Sequence, residues 1–207
     1  MRLASKHSLS SRFLVYGVGT NDSKYIVYDN KTKKHCPFYK NWLRMLRRCY
    51  SESYHKTHPT YVGCSVSPEW HLFSTFRSWM MNQKWEGLEL DKDIIIKGNR
   101  VYGPDACCFV PKSINCLFGG GKKIKHFDLP QNVELLKSGK YRVHMWITPH
   151  KRYFGIFSCL KEAHKTALQK KIESVEYHIQ SNPELDGRAV VGLGSEINRI
   201  NNKINNI

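Results

Sequence analysis

The sequence predicts an α+β fold: a strand–loop–strand–helix core with extra helices, then a small three-stranded antiparallel sheet with one helix. Three observations carry this. Apolar residues recur with a 3.6-residue period in the stretches 39–50, 69–82 and 160–180. Short apolar or alternating runs bounded by turn residues lie around these stretches. A triple glycine, Gly119-Gly120-Gly121, followed by Lys122 and Lys123, marks the clearest linker. The expected organisation is therefore residues 1–120, 121–180 and a polar tail at 181–207.

The elements follow in order. Residues 12–29 alternate enough to suggest strands around a Gly17-Val18-Gly19-Thr20-Asn21-Asp22 turn. Residues 39–50 read as a helix with Trp42, Met45, Leu46 and Cys49 on one face and Lys40, Arg44, Arg47 and Arg48 on the other. Residues 51–68, with Pro59 and Pro68, read as a polar loop. A second helix over 69–82 carries the stripe Trp70, Phe73, Phe76, Trp79 and Met80. A strand at 90–96, a Gly98-Asn99 turn, a strand at 107–110 and a short helix from about Pro111 follow. Beyond the linker, strands are expected at 133–136, 141–147 and 152–157, joined by Lys137-Ser138-Gly139 and Thr148-Pro149-His150 turns. The helix over 160–180 places Ala163, Ala167, Leu168, Ile172, Val175 and Ile179 on one side. Ile197, Ile200 and Ile204 suggest a further helix in the tail.

Composition narrows the partner class. Lys and Arg number 33 against 17 Asp and Glu, a formal charge of +16, which points to a polyanion because each cation placed on a phosphate releases condensed counterions. Seven cysteines, with no Cys-x-x-Cys and one vicinal pair, Cys107-Cys108, do not form a secreted disulfide framework and fit a reducing cytoplasm. No apolar run approaches the ~18 residues of a membrane span. The acid-free stretch 1–21 has the Arg/Ser bias of a transit peptide without a hydrophobic region, and reads as a basic arm.

The order of signals over residues 13–118 is more specific than any one of them. Phe13-Leu14-Val15-Tyr16-Gly17-Val18-Gly19 is followed by Trp42-x-x-Met45-Leu46-x-Arg48-Cys49-Tyr50 and Pro59-Thr60-Tyr61. Then come Glu69-Trp70-x-x-Phe73-x-x-Phe76-x-x-Trp79-Met80, Leu90-Asp91-Lys92-Asp93 and Cys108-Phe109-Val110-Pro111 with Ser113-Ile114-Asn115. This resembles the phage HNH (ββα-metal) homing endonucleases, with lysine in the slot of the catalytic histidine. Residues 139–167, through Gly139-Lys140-Tyr141, Tyr153-Phe154-Gly155-Ile156-Phe157, Glu162-Ala163 and Ala167, are similar to the AP2-type DNA-binding domain that often follows such a core.

The resemblance implies a phage-encoded protein acting on double-stranded DNA in the cytoplasm of an infected bacterial cell, by metal-assisted phosphodiester hydrolysis. Asp91 and Asn115 would hold Mg²⁺ or another divalent cation. Three roles are open to Lys92: a base with a pKa depressed from ~10.4 by burial and a metal, a cation on the phosphate while Asp93 or a histidine activates water, or part of a dead site on a DNA-binding scaffold. Asp93, on the opposite face of a regular strand from Lys92, takes over only if the strand bulges. Asp105 is a candidate support from the loop. A lone HNH centre cuts one strand, so a double-strand break implies a homodimer or two events. In the AP2-like sheet, Tyr141, Val143, Met145 and Ile147 should face the helix, and Arg142, His144, Trp146, Lys151 and Tyr153 the DNA. Arg44, Arg47, Arg48, Lys122 and Lys123 add phosphate contacts. Glu134 departs from the basic pattern.

Other readings fall behind these. Cys49, His55, His58 and Cys64 are zinc-type ligands, but their spacing matches no familiar finger. Gly17-Val18-Gly19 lacks the third glycine and helix of a phosphate loop. A regulator without nuclease activity on the same scaffold remains the main alternative, and an RNA- or ribosome-associated protein a third.

Overall fold

The computed structural model describes residues 3–118, 129–147 and 150–207, with backbone alone at 117–118 and 146–147. It is mixed α+β and divides into two compact units, Met1–Glu86 with Leu90–Phe109, and Gly87–Glu89 with Val110–Ile207. The expected boundary at 120/121, with Lys122 and Lys123, lies outside the described residues.

The first unit opens with helix α1 (Lys6–Ser10), capped by Ser5, whose hydroxyl accepts the Ser8 amide. The strands expected over 12–29 shrink to a tight turn, where Val15 and Gly19 exchange backbone hydrogen bonds, and to β1 (Tyr28–Asp29) paired with β2 (Lys34–His35). Arg12 ties the segment together, its guanidinium donating to the carbonyls of Asn21, Ser23 and Tyr25. Helix α2 (Pro37–Tyr50) starts two residues before its expected limit, because Cys36 caps it and Pro37 suits a first helical turn. The expected loop then holds α3 (Glu52–Thr57), capped by Ser51, and a short 3-10 turn, Pro59–Tyr61. These elements lack an apolar stripe, so periodicity does not reveal them.

Strand β3 (Ser65–Val66) leads into a 3-10 turn, Pro68–His71, and α4 (Phe73–Met81). The single helix expected over 69–82 breaks at Leu72. Thr20 causes this: its amide donates to the His71 carbonyl at 2.8 Å and its carbonyl accepts from the Phe73 amide at 3.0 Å, drawing both groups out of the helical ladder. Asp22 then caps α4 by accepting from the Ser74 amide at 2.8 Å and from the Ser74 hydroxyl. Trp42, Met45, Leu46, Trp70, Phe73, Phe76 and Met80 form the buried core. Around it lie β4 (Glu89–Asp91), β5 (Val101–Tyr102) and β6 (Cys108–Val110); β5 runs parallel to β3, and β4 pairs with β6.

The second unit takes up helix α5 (Lys112–Phe118) and the three-stranded antiparallel sheet β7 (Val133–Leu135), β8 (Tyr141–Ile147) and β9 (His150–Phe157), in that spatial order. Helix α6 (Leu160–Ser181) packs on one face of the sheet. Val133, Val143, Ala163 and Ala167 are buried there, with Tyr141, Phe154, Phe157 and Leu160 packed against them. Phe154 and Phe157, three residues apart, would face opposite ways in a regular strand. The register shifts between Arg142 and His144 on β8, opposite the segment holding Gly155, whose φ of +122° only glycine adopts freely. The resulting bulge lets both phenylalanines meet the helix. The tail forms a longer helix than expected, α7 (Gly187–Asn205), started by Asp186. It packs on α6, with Ala189, Leu193, Glu196 and Ile200 buried at spacings of three and four.

Gly19 sits hard against α2. A Cβ there would lie 2.8 Å from the Trp42 ring and closer still to a Leu46 methyl. Gly19→Ala is expected to lower stability by about 1–3 kcal/mol through overpacking, read as a lower urea midpoint. An unchanged midpoint would show that the Val15–Gly19 turn can lift off the helix without cost.

Candidate nucleic-acid interface and metal site

The face of the three-stranded sheet opposite α6 gathers several of the expected side chains. Strand alternation turns Val143 and Met145 inward, both buried, and Arg142 and His144 outward. Cross-strand pairing sets Tyr153 opposite His144 and Lys151 opposite Trp146. Tyr153 is 59% exposed, with the Arg142 guanidinium carbon 5.4 Å and the Lys151 ammonium 5.6 Å from its ring centre. Glu134 joins this face rather than opposing it: its carboxylate accepts from Arg142 Nη2 at 2.9 Å and Nε at 3.2 Å, and lies 3.6 Å from His144 Nδ1. The Arg142 bond holds the Glu134 carboxyl below the usual range, and burial, with Lys151 adding, lowers the His144 pKa. The Trp146 and Ile147 side chains, like Lys122 and Lys123, lie outside the described residues.

In the first unit, the strand expected over 90–96 stops at Asp91, and Asp91 is the reason. Its Oδ1 accepts the amides of Asp93 at 2.9 Å and Ile94 at 2.8 Å, an Asx-type turn that bends the chain away from the sheet. Lys92 Nζ donates to the Asn99 carbonyl at 2.8 Å and to the Asp93 carboxylate at 3.1 Å. The Asn99 amide closes the loop by donating to the carbonyls of Lys92 at 2.7 Å and Val101 at 2.6 Å. Lys92 and Asp93 therefore pair directly, with no strand to put them on opposite faces. Burial, and then the neighbouring Asp93 charge, raises the Asp91 pKa against the pull of the two amides and Lys92.

The arginines of α2 divide. Arg44 and Arg47 are exposed, Arg47 lying 4.5 Å over the Tyr54 ring, whose plane stacks on His58 at 4.1 Å. Arg48 turns inward instead. Its Nη1 donates to the Leu90 carbonyl at 3.4 Å, and its guanidinium sits 5.5 Å over the Tyr61 ring and beside the buried Tyr102. The expected solvent face of three arginines thus has two members. At about 100° per residue, Arg48 falls nearer the Trp42–Cys49 stripe than Arg44 or Arg47 does, a signal the sequence already held.

Asn115 lies on α5 in the second unit, its Nδ2 donating to the Glu89 carboxylate at 3.1 Å. Asp91 in the first unit and Asn115 in the second are each of a residue type that suits a hard cation. Among the described residues, no group of three or more His, Cys, Asp or Glu side chains converges on a cation position. In the zinc-type run, Cys49 and Cys64 are buried, His55 Nε2 bonds the Arg48 carbonyl and His58 Nδ1 the Thr57 hydroxyl. Among the described residues no helix is long and apolar enough to cross a membrane. Tyr61, Tyr102 and Asn99 are the participants sequence reasoning missed: Asn99 bonds Lys92 across a short loop, Tyr61 lies within electrostatic reach of Asp91 and Lys92, and Tyr102 lies beside Arg48. No protein-family model, curated protein or solved structure matches the chain.

A raised carboxyl pKa adds stability below the unfolded value near 4 and loses it as pH rises through the folded value. Asp91→Asn keeps an acceptor for the two amides and removes the buried charge. It should melt above the wild type at pH 7 and level with it near pH 4, whereas Asp91→Ala should lose about 0.5–2 kcal/mol of capping energy at both. An Asn variant less stable than wild type at pH 7 would mean that the Asp91 charge is held by Lys92 rather than penalised.

Proposed function

We propose that this chain is a DNA-binding protein of the HNH/AP2 kind, which docks on duplex DNA by the outer face of the β7–β8–β9 sheet. The observation that carries the reading is Tyr153, an exposed ring flanked by Arg142 and Lys151 on a sheet whose other face is buried by α6. The major groove admits a two-stranded β-ribbon, the width of the β8–β9 pair that carries Arg142, Lys151 and Tyr153. Lys151 and Arg142 supply phosphate or base-edge contacts, and Tyr153 an amphipathic ring against sugars or base edges. Glu134 holds Arg142 in place and, as an acceptor, favours donor groups such as the cytosine amine. The excess of 16 positive charges supplies the long-range attraction.

A second reading adds metal-dependent nicking, with Asp91 and Asn115 as the oxygen ligands that the HNH resemblance implies. A divalent cation held there would polarise a phosphodiester and stabilise the leaving oxygen. Lys92, fastened to Asn99 and Asp93, would hold the phosphate as a cation, which leaves the activation of water to another group. A double-strand cut would still require a second copy of the chain or a second event.

Fluorescence anisotropy with a duplex of about two helical turns tests the first reading. Arg142→Ala and Lys151→Ala should each reduce the slope of log K against log salt by about 1. Tyr153→Ala should weaken binding roughly fivefold, the equivalent of ~1 kcal/mol. Wild-type affinity in all three variants would remove the sheet as the docking surface. Nicking of supercoiled plasmid with Mg²⁺ or Mn²⁺, abolished in Asp91→Asn, would add cleavage; binding with no nicking in either metal would leave a binding protein.

A further inference from the structure

The first unit holds a partly buried guanidinium without a carboxylate partner among the described residues. Arg48 lies on α2 immediately before the buried Cys49; its guanidinium makes a long hydrogen bond to the Leu90 carbonyl, lies over the Tyr61 ring and shares a hydrogen bond with the Tyr102 hydroxyl. Among the described residues no carboxylate pairs with it. A guanidinium carries five donors, and taking one out of water without a counter-charge is costly. Its neighbours share one character. Tyr102 is buried beside it, and the Tyr61 hydroxyl lies within electrostatic reach of Arg48, Lys92 and Asp91 together. Burial keeps both phenols protonated, their pKa values raised, so each has a proton to donate. Lys92 is tethered to the same segment by Asn99.

We propose that Arg48, with Lys92 and the hydroxyls of Tyr61 and Tyr102, forms a phosphate-binding site in the first unit, and that Arg48 grips a backbone phosphodiester of the bound DNA. This deepens the DNA-binding reading and rests on it for the identity of the ligand. It assigns DNA contact to the first unit as well as to the sheet of the second. The anion supplies the counter-charge that the fold withholds from Arg48. The guanidinium fork suits two phosphate oxygens, and the tyrosines supply neutral donors around it. Because Arg48 and Lys92 are both cations, the site binds phosphate without a metal.

The test uses the full chain, ¹⁵N-labelled at arginine, in EDTA. The Arg48 Nε–Hε resonance, assigned by its loss in Arg48→Lys, should shift on addition of the same DNA duplex, and on addition of inorganic phosphate at higher concentration. Arg48→Gln should weaken duplex binding at least fivefold and lower the salt slope by about 0.9. Arg48→Lys should recover the slope but not the full affinity, since the ammonium cannot grip two oxygens in a fixed plane. The resonance is read in the wild-type protein, so a variant that fails to fold does not block the test. An unmoved Arg48 resonance at saturating duplex, with Tyr153→Ala still weakening binding, would overturn the phosphate site and leave the sheet interface standing. Absence of duplex binding altogether would overturn both.

Discussion

The first unit depends on one buried hydrogen bond. The Trp42 indole donates to the Trp70 carbonyl at 2.7 Å, between side chains that are almost wholly buried. A buried indole N–H without a partner would cost about 1–3 kcal/mol, so the bond fixes the rotation of α2 against the 3-10 turn before α4. Aromatic packing then follows: Trp42 meets Phe73 and Tyr39 at ring distances near 5.5 Å, and Gly19 closes over Trp42 and Leu46. Once α2 is fixed in rotation, the destiny of its arginines is fixed too. Arg44 and Arg47 lie toward solvent, and Arg48, on the flank of the stripe, has to turn toward Leu90 and Tyr61.

Much of this was legible from residues that act through their neighbours in sequence. The helices at α2 and α6 show as apolar periodicity, and the strands β7 to β9 as short runs between Gly and Pro turns. The inward set Val143 and Met145 follows from alternation alone. What periodicity could not reveal was set by contacts across the chain or by side chains bonding to backbone. Leu72 leaves the helix because Thr20, some fifty residues earlier in the sequence, takes the hydrogen bonds of its neighbours. The strand at Asp91 ends because a carboxylate accepts two amides, a choice open to any Asp and visible only once its local conformation is known. The bulge at Gly155 was a partial exception. A glycine between Phe154 and Ile156 is a sequence signal for a bulge, and with it Phe154 and Phe157 share a face.

The candidate site was legible as a list of residues and less so as an arrangement. Asp91, Lys92 and Asp93 were expected to sit on a strand, where parity separates Lys92 from Asp93; in the turn they touch. Glu134, an anomaly among cations when only its charge is considered, becomes the acceptor that positions Arg142. Both differences have one origin. Sequence patterns specify which face a residue takes in a regular element, and functional groups gather where regularity ends.

The charges around Asp91 give the strongest constraint on what the first unit can do. A histidine beside the aspartate would be mostly uncharged at neutral pH and able to accept a proton. Lysine in that slot adds a positive charge and, as an ammonium, offers donors alone. Its donors are directed to Asn99 and Asp93, which fixes the head group instead of freeing it to meet a water. Arg48 brings a second cation to the Tyr61 hydroxyl, which Lys92 also reaches, and among the described residues no carboxylate pairs with it. A phosphodiester entering there meets two cations and two phenol protons, and meets no neutral base on the Asp91–Lys92–Asp93 segment. On the proposed reading, Lys92 suits the segment to holding a phosphate rather than to activating water, and the Asx turn that shapes the segment is made by Asp91.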